Sequence, residues 1–193
     1  MSGFENELYE AVFEAAKPHL GTRDNLVHTL ISLDYARELL KKEGGRPEIV
    51  IPAILLHDIG WSRVPEELHL TAIGPKATTP EARDAHEREG ALMAVGILSE
   101  LGFNAEDTEK IAHIISGHDT GTECSSLEEA IVRDSDKLFR FSDRGFGIIQ
   151  GWYGYDPPMF LKWFADQIPE WFLTGTGRAL ADAEAAKRKE ELA

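Results

Sequence analysis

Four of the seven histidines fall on apolar faces or ends of predicted helices, where an imidazole needs a partner for its nitrogen atoms. They lie 29, 29 and 32 residues apart, so each belongs to a different helix, and a carboxylate, Asp58, directly follows the second. Burying these groups has a large desolvation cost, which a divalent metal ion offsets because neutral imidazole and carboxylate are its natural ligands. The sequence therefore predicts a metal centre assembled from several helices. The four histidines are His28, His57, His86 and His118.

Each of these histidines, taken singly, has a simpler explanation, since a core histidine is often satisfied by hydrogen bonds alone. A rotation of 100° per residue places His118 in the same stripe as Ile111 and points His113 toward solvent. His19 and His69 lie in loop-like segments and are assigned no role. The metal hypothesis depends on the four rings converging, which the sequence alone cannot establish.

The composition limits the classes of partner. The chain has 193 residues, 42% of them hydrophobic, and a formal charge of −14, which predicts one acidic domain over 1–193 that repels nucleic acid. The single cysteine, Cys124, cannot form an internal disulfide, and the N-terminus lacks the basic-then-apolar order of a signal peptide. No apolar run approaches the roughly 20 residues that cross a bilayer. We expect a cytoplasmic protein without nucleic-acid or membrane partners.

Apolar residues recur at helical spacing along most of the chain, which predicts an all-α fold. The third predicted helix, with the sequence IVIPAILL, is apolar on nearly all sides and is expected at the centre. The loop 61–80 is predicted to contact the substrate, with Arg63 and Lys76 as candidates, and Ser125 with Glu128 matches a capping box. The helices are predicted at about 4–17, 24–43, 47–58, 81–101, 105–117 and 125–142.

The C-terminal extension, about 151–193, differs in composition from the rest of the chain. Its residues 152–172 contain eight of the 17 aromatic side chains. These rings either pack against the domain or against a second copy in a homodimer, or they form the wall of a substrate pocket. The last residues, RALADAEAAKRKEELA, predict a surface helix or a frayed tail.

The order of the candidate ligands resembles that of a known family. A lone histidine, then the pair His-Asp in LLHDIG, then an aspartate in VRDSDKLFR is similar to the pattern of the HD-domain superfamily of metal-dependent phosphohydrolases, over about residues 20–150. The resemblance implies an all-α HD-domain helical bundle with a pair of divalent ions of Fe, Mn, Mg, Co, Ni or Zn. It implies four ligands for one ion and an added pair of histidines for the other: His28, His57, Asp58 and Asp136, then His86 and His118.

The last of these ligands is where the rotation about the helix and the resemblance disagree. Asp134 falls on the more apolar face with Ile131 and Leu138, whereas Asp136 lies nearly opposite. The family pattern places its ligand directly before a basic residue and a leucine, as Asp136 stands before Lys137. We therefore expect Asp136 to be the ligand and Asp134 to pack between helices or to support a ligand.

The expected chemistry is attack on phosphorus by a metal-bound hydroxide, since two ions bridged by a carboxylate activate water and clamp a phosphoryl group. Asp58 is the expected bridge. The resemblance implies that Lys137, next to a ligand, is a catalytic and phosphate-binding cation; Arg140 is a second phosphate contact, and Arg144 is more simply solvated. The predicted protein is an enzyme that releases phosphate from a small-molecule phosphoester or nucleotide.

Two other functions remain open at this stage. Some proteins that resemble this fold use the same six ligands with iron to activate oxygen and cleave a C–C or C–P bond, and a histidine-rich site accommodates iron as readily as other ions. A degenerate binding module would have lost ligands, whereas all six positions are filled here. The metal content and the dependence of the reaction on oxygen distinguish the three.

Overall fold

The computed structural model of this chain describes residues 6–72, 74 and 77–193. These residues form helices joined by loops and short 3₁₀ turns, with no β-strand among them, so the predicted all-α class is confirmed. Lys76 and the first five residues lie outside the described part of the chain. The helices are α1 (Glu7–Ala16), α2 (Asn25–Glu43), α3 (Pro47–Leu56), α4 (Pro80–Glu100), α5 (Ala105–Ile115), α6 (Leu127–Leu138), α7 (Asp143–Tyr153), α8 (Pro157–Trp171) and α9 (Gly175–Glu191).

Helix α3 is the central element, as its apolar sequence predicts. Every residue from Ile49 to Leu56 is buried, and the helix packs against α1, α2, α5 and α6. Neighbours on all sides hold its C-terminal end in one place. The two residues that follow, His57 and Asp58, are therefore positioned by the most tightly enclosed helix of the chain.

The turn after α3 packs against α4 through two glycines. A Cβ atom built on Gly60 would lie 1.9 Å from the carbonyl oxygen of His86 and 2.5 Å from the backbone nitrogen of Gly90. Only glycine permits so close an approach of two backbones. This contact sets the distance between the turn that carries Asp58 and the helix that carries His86.

The C-terminal extension is joined to α6 by a buried aspartate. Asp134 accepts hydrogen bonds from the backbone N–H of Leu173 and of Thr174 and from the Thr174 hydroxyl, at 2.8, 2.9 and 2.7 Å. Gly177 lies directly beside this carboxylate, where a Cβ atom would clash. Asp134 and Asp136 are both buried, because α6 is enclosed on both faces, and Asp134 serves the extension.

Several predicted boundaries need correction. Helix α6 begins with Ser126, which accepts from Glu129 N, and not with the pair Ser125 and Glu128; Glu128 instead accepts from the backbone N–H of Arg46. The predicted helix over 125–142 ends at Leu138 and continues as a 3₁₀ turn. The last segment is a regular helix and not a frayed tail.

Helix α9 is held by its packing against α8 and α6 and by an arginine. Arg188 is buried and forms ion pairs with Asp143 and Glu191. None of the described helices combines the length and the apolar character that crossing a membrane requires.

The glycine contact at the turn after α3 predicts a large effect of one methyl group. Gly60→Ala should lower the free energy of unfolding by about 3 kcal/mol, because the backbones of the turn and α4 must separate. Gly96→Ala is the matched control: nothing lies within 4 Å of its Cβ position, so this change within α4 should raise stability by about 0.5–1 kcal/mol. Urea unfolding followed by circular dichroism measures both, and equal stabilities would contradict the packing described.

The aspartate that holds the extension predicts a second stability effect. Asp134→Ala should lower the free energy of unfolding by about 2–3 kcal/mol, because two backbone N–H groups and a hydroxyl lose their acceptor. Asp182→Ala, at an exposed position of α9, should change it by less than about 0.5 kcal/mol. Thermal unfolding of the two variants side by side tests this, and identical midpoints would show that Asp134 does not hold the extension.

Candidate metal centre

The structure brings the six predicted ligands together in the middle of the bundle. His28 lies on α2, the pair His57 and Asp58 follows α3, His86 lies on α4, His118 follows α5, and Asp136 lies on α6. All six are buried, with His28 the most accessible at 8%. Among the described residues, their side-chain atoms and those of Asp119 form three overlapping groups with the spacing of metal ligands: His28, His57 and Asp136; His57, Asp58 and His118; and His86, His118 and Asp119.

The first group surrounds Asp136 and one oxygen of Asp58. His28 Nε2 lies 2.9 Å from Asp136 Oδ1, and His28 Nδ1 lies 3.1 Å from Asp58 Oδ2. His57 Nε2 lies 3.7 Å from Asp136 Oδ1 and 3.7 Å from Asp58 Oδ2, beyond hydrogen-bond distance. Two imidazoles and two carboxylates thus converge from three helices.

The group that contains His86 and His118 lies at the other oxygen of Asp58. His86 Nε2 and His118 Nε2 each lie 3.6 Å from Asp58 Oδ1 and 3.4 Å from each other. Asp58 therefore directs one carboxylate oxygen to each group. The carboxylate of Asp58 thus contacts histidines from both sides of the cluster.

Asp119 belongs to the same group as His86 and His118, and the sequence analysis missed it. Its Oδ2 atom lies 3.8 Å from His86 Nε2. The signal was present, because Asp119 follows His118 just as Asp58 follows His57. Glu87, buried on α4, accepts hydrogen bonds from the backbone N–H of Asp119 at 2.7 Å and of Thr120 at 3.0 Å, which positions this segment.

Comparisons with known proteins agree with this geometry. The family model described as HD domain matches residues 25–140. The chain belongs to the HD domain family. The match includes all six predicted ligands and Asp119, and stops before the aromatic extension.

A solved structure resembles this HD domain protein along most of its length. It is that of a predicted HD superfamily hydrolase from an uncultured Thermotogales bacterium, with 23% identity and a TM-score of 0.65 over 96% of this chain and 87% of that one. Comparison with curated proteins gives no match. The structural likeness covers the C-terminal extension as well as the HD domain and confirms the helical-bundle fold.

The histidines of this HD domain are oriented to offer nitrogen lone pairs to a cation. His57 Nδ1 and His118 Nδ1 each lie 2.8 Å from a backbone carbonyl, of Ile54 and Ile115, so each Nδ1 carries a proton and donates it. The Nε2 atoms then face carboxylate oxygens, and His57 Nε2 has no hydrogen-bond partner among the described residues. A lone pair directed at carboxylates is repelled unless a cation lies between them, so these residues fit a divalent metal centre.

The pKa values of the cluster follow from the same crowding. Burial lowers the pKa of His118 and of His28, but the neighbouring carboxylates outweigh it and raise these pKa values to about 10 and about 9. For His86, burial and the charge of His118 lower the pKa to about 3. Despite burial, the neighbouring histidines hold the pKa of Asp58 well below its ordinary value. Protons thus occupy the positions where a metal ion would bind.

The basic residues expected to contact phosphate differ in their placement. Arg140 donates to Asp136 Oδ2 at 3.1 Å and approaches Asp119 Oδ1 at 3.6 Å, and it lines the same cavity as the cluster. Lys137 also lines this cavity, and its Nζ atom lies 3.4 Å from the carbonyl oxygen of His118. Arg144 and Arg63 are exposed, and neither lines this cavity.

The cavity has a volume of about 280 Å³ and opens onto the carboxylate cluster. The loop 61–80 contributes Trp61 and Gly74 to its wall, and α7 and α8 contribute aromatic side chains. The rings of the aromatic segment divide between the core of the domain and the wall of the cavity. Phe172 is buried in the core, whereas Trp152 and Trp163 line the cavity.

The raised pKa values predict that metal uptake releases protons. At pH 7 and without metal, His28 and His118 should each be in the cationic imidazolium form, with a proton on both ring nitrogens. A bound ion must displace one proton from each ring. Affinity for Mn²⁺ should therefore fall as the pH is lowered from about 9. Calorimetric titration of the chelator-treated protein in two buffers of different ionisation enthalpy counts the protons released.

The control for this titration is an exposed histidine. His113→Ala should leave both the proton count and the affinity unchanged, because this ring lies outside the cluster. Uptake of Mn²⁺ with no proton release in the unmodified protein would show that the ions bind elsewhere.

Proposed function

We propose that this protein is a metal-dependent phosphohydrolase that releases phosphate from a small-molecule phosphoester. The observation that carries the proposal is the position of Asp58, whose two oxygens face two separate groups of imidazoles. Divalent cations would be held by His28, His57 and Asp136 on one side of this carboxylate and by His86 and His118 on the other, and they would supply Lewis-acid chemistry toward a phosphoryl group. Membership of the HD domain family supports the same reaction class.

Bound divalent ions would lower the pKa of a water molecule and neutralise the charge of the phosphoryl oxygens. The remaining requirements are met by side chains of this chain. Asp58 would offer one oxygen to each cation, and the carbonyl groups of Ile54 and Ile115 orient His57 and His118. The cluster is buried and lines the cavity, and this burial limits the access of bulk water.

Arg140 provides the positive charge next to the proposed sites. The carboxylates of Asp136 and Asp119 hold its guanidinium group at the edge of the cavity, where it can bind a phosphate oxygen. Lys137 is the second candidate, since it lines the cavity beside Asp136. In a chain of charge −14, these cations and the metal ions are what attract an anionic substrate.

The proposal is tested by metal analysis and phosphate release on the same sample. The purified protein should contain about two divalent ions per chain and hydrolyse phenyl phosphate equally well with and without oxygen. Asp58→Asn should lower kcat/KM by about a thousandfold, because it weakens the bridge between the ions. His86→Ala and His118→Ala should each lose one ion, and His113→Ala should keep both ions and full activity.

One outcome would contradict the phosphohydrolase, and another would contradict the role proposed for Asp58. Bound iron with oxygen uptake and no phosphate release from a panel of phosphomonoesters would favour oxygenase chemistry at the same ligands. Retention of both ions and of activity in Asp58→Asn would show that Asp58 does not bridge the centre.

A further inference from the structure

We infer that the substrate of this site carries a planar ring next to its phosphate group, with the ring held by the C-terminal extension and the phosphate contacted by Arg23. The inference rests on the proposed function for the phosphate end of the ligand. The ring end is argued independently, from residues that lie outside the part of the chain matched by the HD domain.

The lining of the cavity is of two chemical kinds. One part is formed by the carboxylate cluster with Arg140 and Lys137, and Gln167 of α8 is a further polar residue. The other part is formed by aromatic rings of α7 and α8, and Ile149 is the single aliphatic side chain among the described lining residues. These rings are Trp152, Tyr153, Phe160, Trp163, Phe164 and Trp171.

The arrangement of these rings favours a planar ligand. Trp163 and Phe160 are parallel, with ring centroids 5.9 Å apart, and Trp163 meets Trp171 edge-on at 5.6 Å. Trp163 and Trp171 are only half-buried in the bundle while lining the cavity. A ring entering this chamber can pair with one face or edge of these side chains, whereas an alkyl group gains only the contact area.

Arg23 lies close to aromatic rings and to the carboxylate cluster in the lining of the cavity. Its guanidinium carbon lies 4.1 Å from the ring centre of Trp61 and 5.3 Å from that of Trp152. Its Nε and Nη1 atoms are buried and have no hydrogen-bond partner among the described residues, although it lines the cavity beside Asp58. Unsatisfied guanidinium donors in such a place are suited to an anionic oxygen of a ligand.

The backbone supports a functional role for Arg23. Arg23 and Asp24 have φ angles of 55° and 54°, in the left-handed region that side chains other than glycine seldom adopt. Two strained residues in succession at the start of α2 persist only when the surrounding structure compensates for them. Here they place Arg23 against Trp61, above the carboxylate cluster.

The volume of the cavity limits the size of the ligand. At about 280 Å³ it is at the small end of the range for small-molecule pockets, which favours a phosphate with one ring system over an extended substrate. A simple aryl group and a nucleobase share this chemistry. Calorimetric titration with aryl and nucleoside phosphonates distinguishes these two kinds of ring.

The test uses phosphonates, which bind without being hydrolysed. Calorimetry on the Mn²⁺-loaded protein compares methylphosphonate, phenylphosphonate and the phosphonate analogue of a nucleoside monophosphate. We expect phenylphosphonate to bind about tenfold more tightly than methylphosphonate, the gain that one or two ring pairs supply. A further gain for the nucleoside analogue would identify the ring as a nucleobase.

The variants separate the ring from the phosphate. Trp163→Leu should remove most of the preference for the phenyl ligand, and Trp163→Phe should retain it. Arg23→Met should weaken both simple phosphonates by about tenfold, whereas Arg144→Met, at an exposed position outside the cavity, should weaken neither. Circular dichroism confirms that each variant is folded.

Phosphate release, measured in parallel, keeps the two proposals distinct. Equal affinity for methyl- and phenylphosphonate with phosphate release intact would overturn the ring inference and leave the phosphohydrolase standing. Preferential binding of the phenyl ligand without any phosphate release would overturn the phosphohydrolase and support the ring site. Binding of none of the phosphonates would overturn the inference, as would unchanged affinity in Arg23→Met.

Discussion

The structure depends on enclosing a cluster of carboxylates and imidazoles within an apolar helical bundle. Asp58 and Asp136 are almost completely buried, and the groups that face them are histidine nitrogens, the indole N–H of Trp61 and the guanidinium of Arg140. Such a cluster is costly to desolvate, and in the absence of metal its protonated histidines and Arg140 offset the charge of the carboxylates. Metal ions bound between the carboxylates would offset the same cost, so the proposed metal binding should stabilise the folded bundle.

The packing of the bundle serves this cluster. Helix α3 is buried along its length and ends at His57, so the ligand pair has little freedom to move. The close contact of Gly60 with α4 brings the turn after α3 up to the carbonyl of His86. Carbonyl groups of α3 and α5 then fix the ring orientation of His57 and His118. Backbone geometry thus sets the positions of the ligands, and their side chains have few alternatives.

The C-terminal extension turns a buried cluster into a pocket with a wall. Asp134 holds the start of α9 against α6, and it lies nearly opposite Asp136 around the axis of α6. Because both aspartates are on α6, the helix that carries the candidate ligand Asp136 also holds the aromatic segment over the cavity. Arg23, Trp61 and Trp152 complete the enclosure on the other side. The proposed specificity for a ring arises from this joining of two parts of the chain.

The sequence by itself determined the helical class and the burial of His28, His86 and His118, because helical periodicity is a local property that side-chain hydrophobicity reveals. The choice of Asp136 as a candidate ligand came from the resemblance to the HD-domain pattern and not from periodicity. It did not determine that Asp134 and Asp136 are both buried, since one helix wheel assigns a single inward face. It missed Asp119 and Arg23, whose roles depend on contacts with distant residues. Tertiary structure alone decided these points, because convergence of side chains on different helices has no periodic signature in the chain.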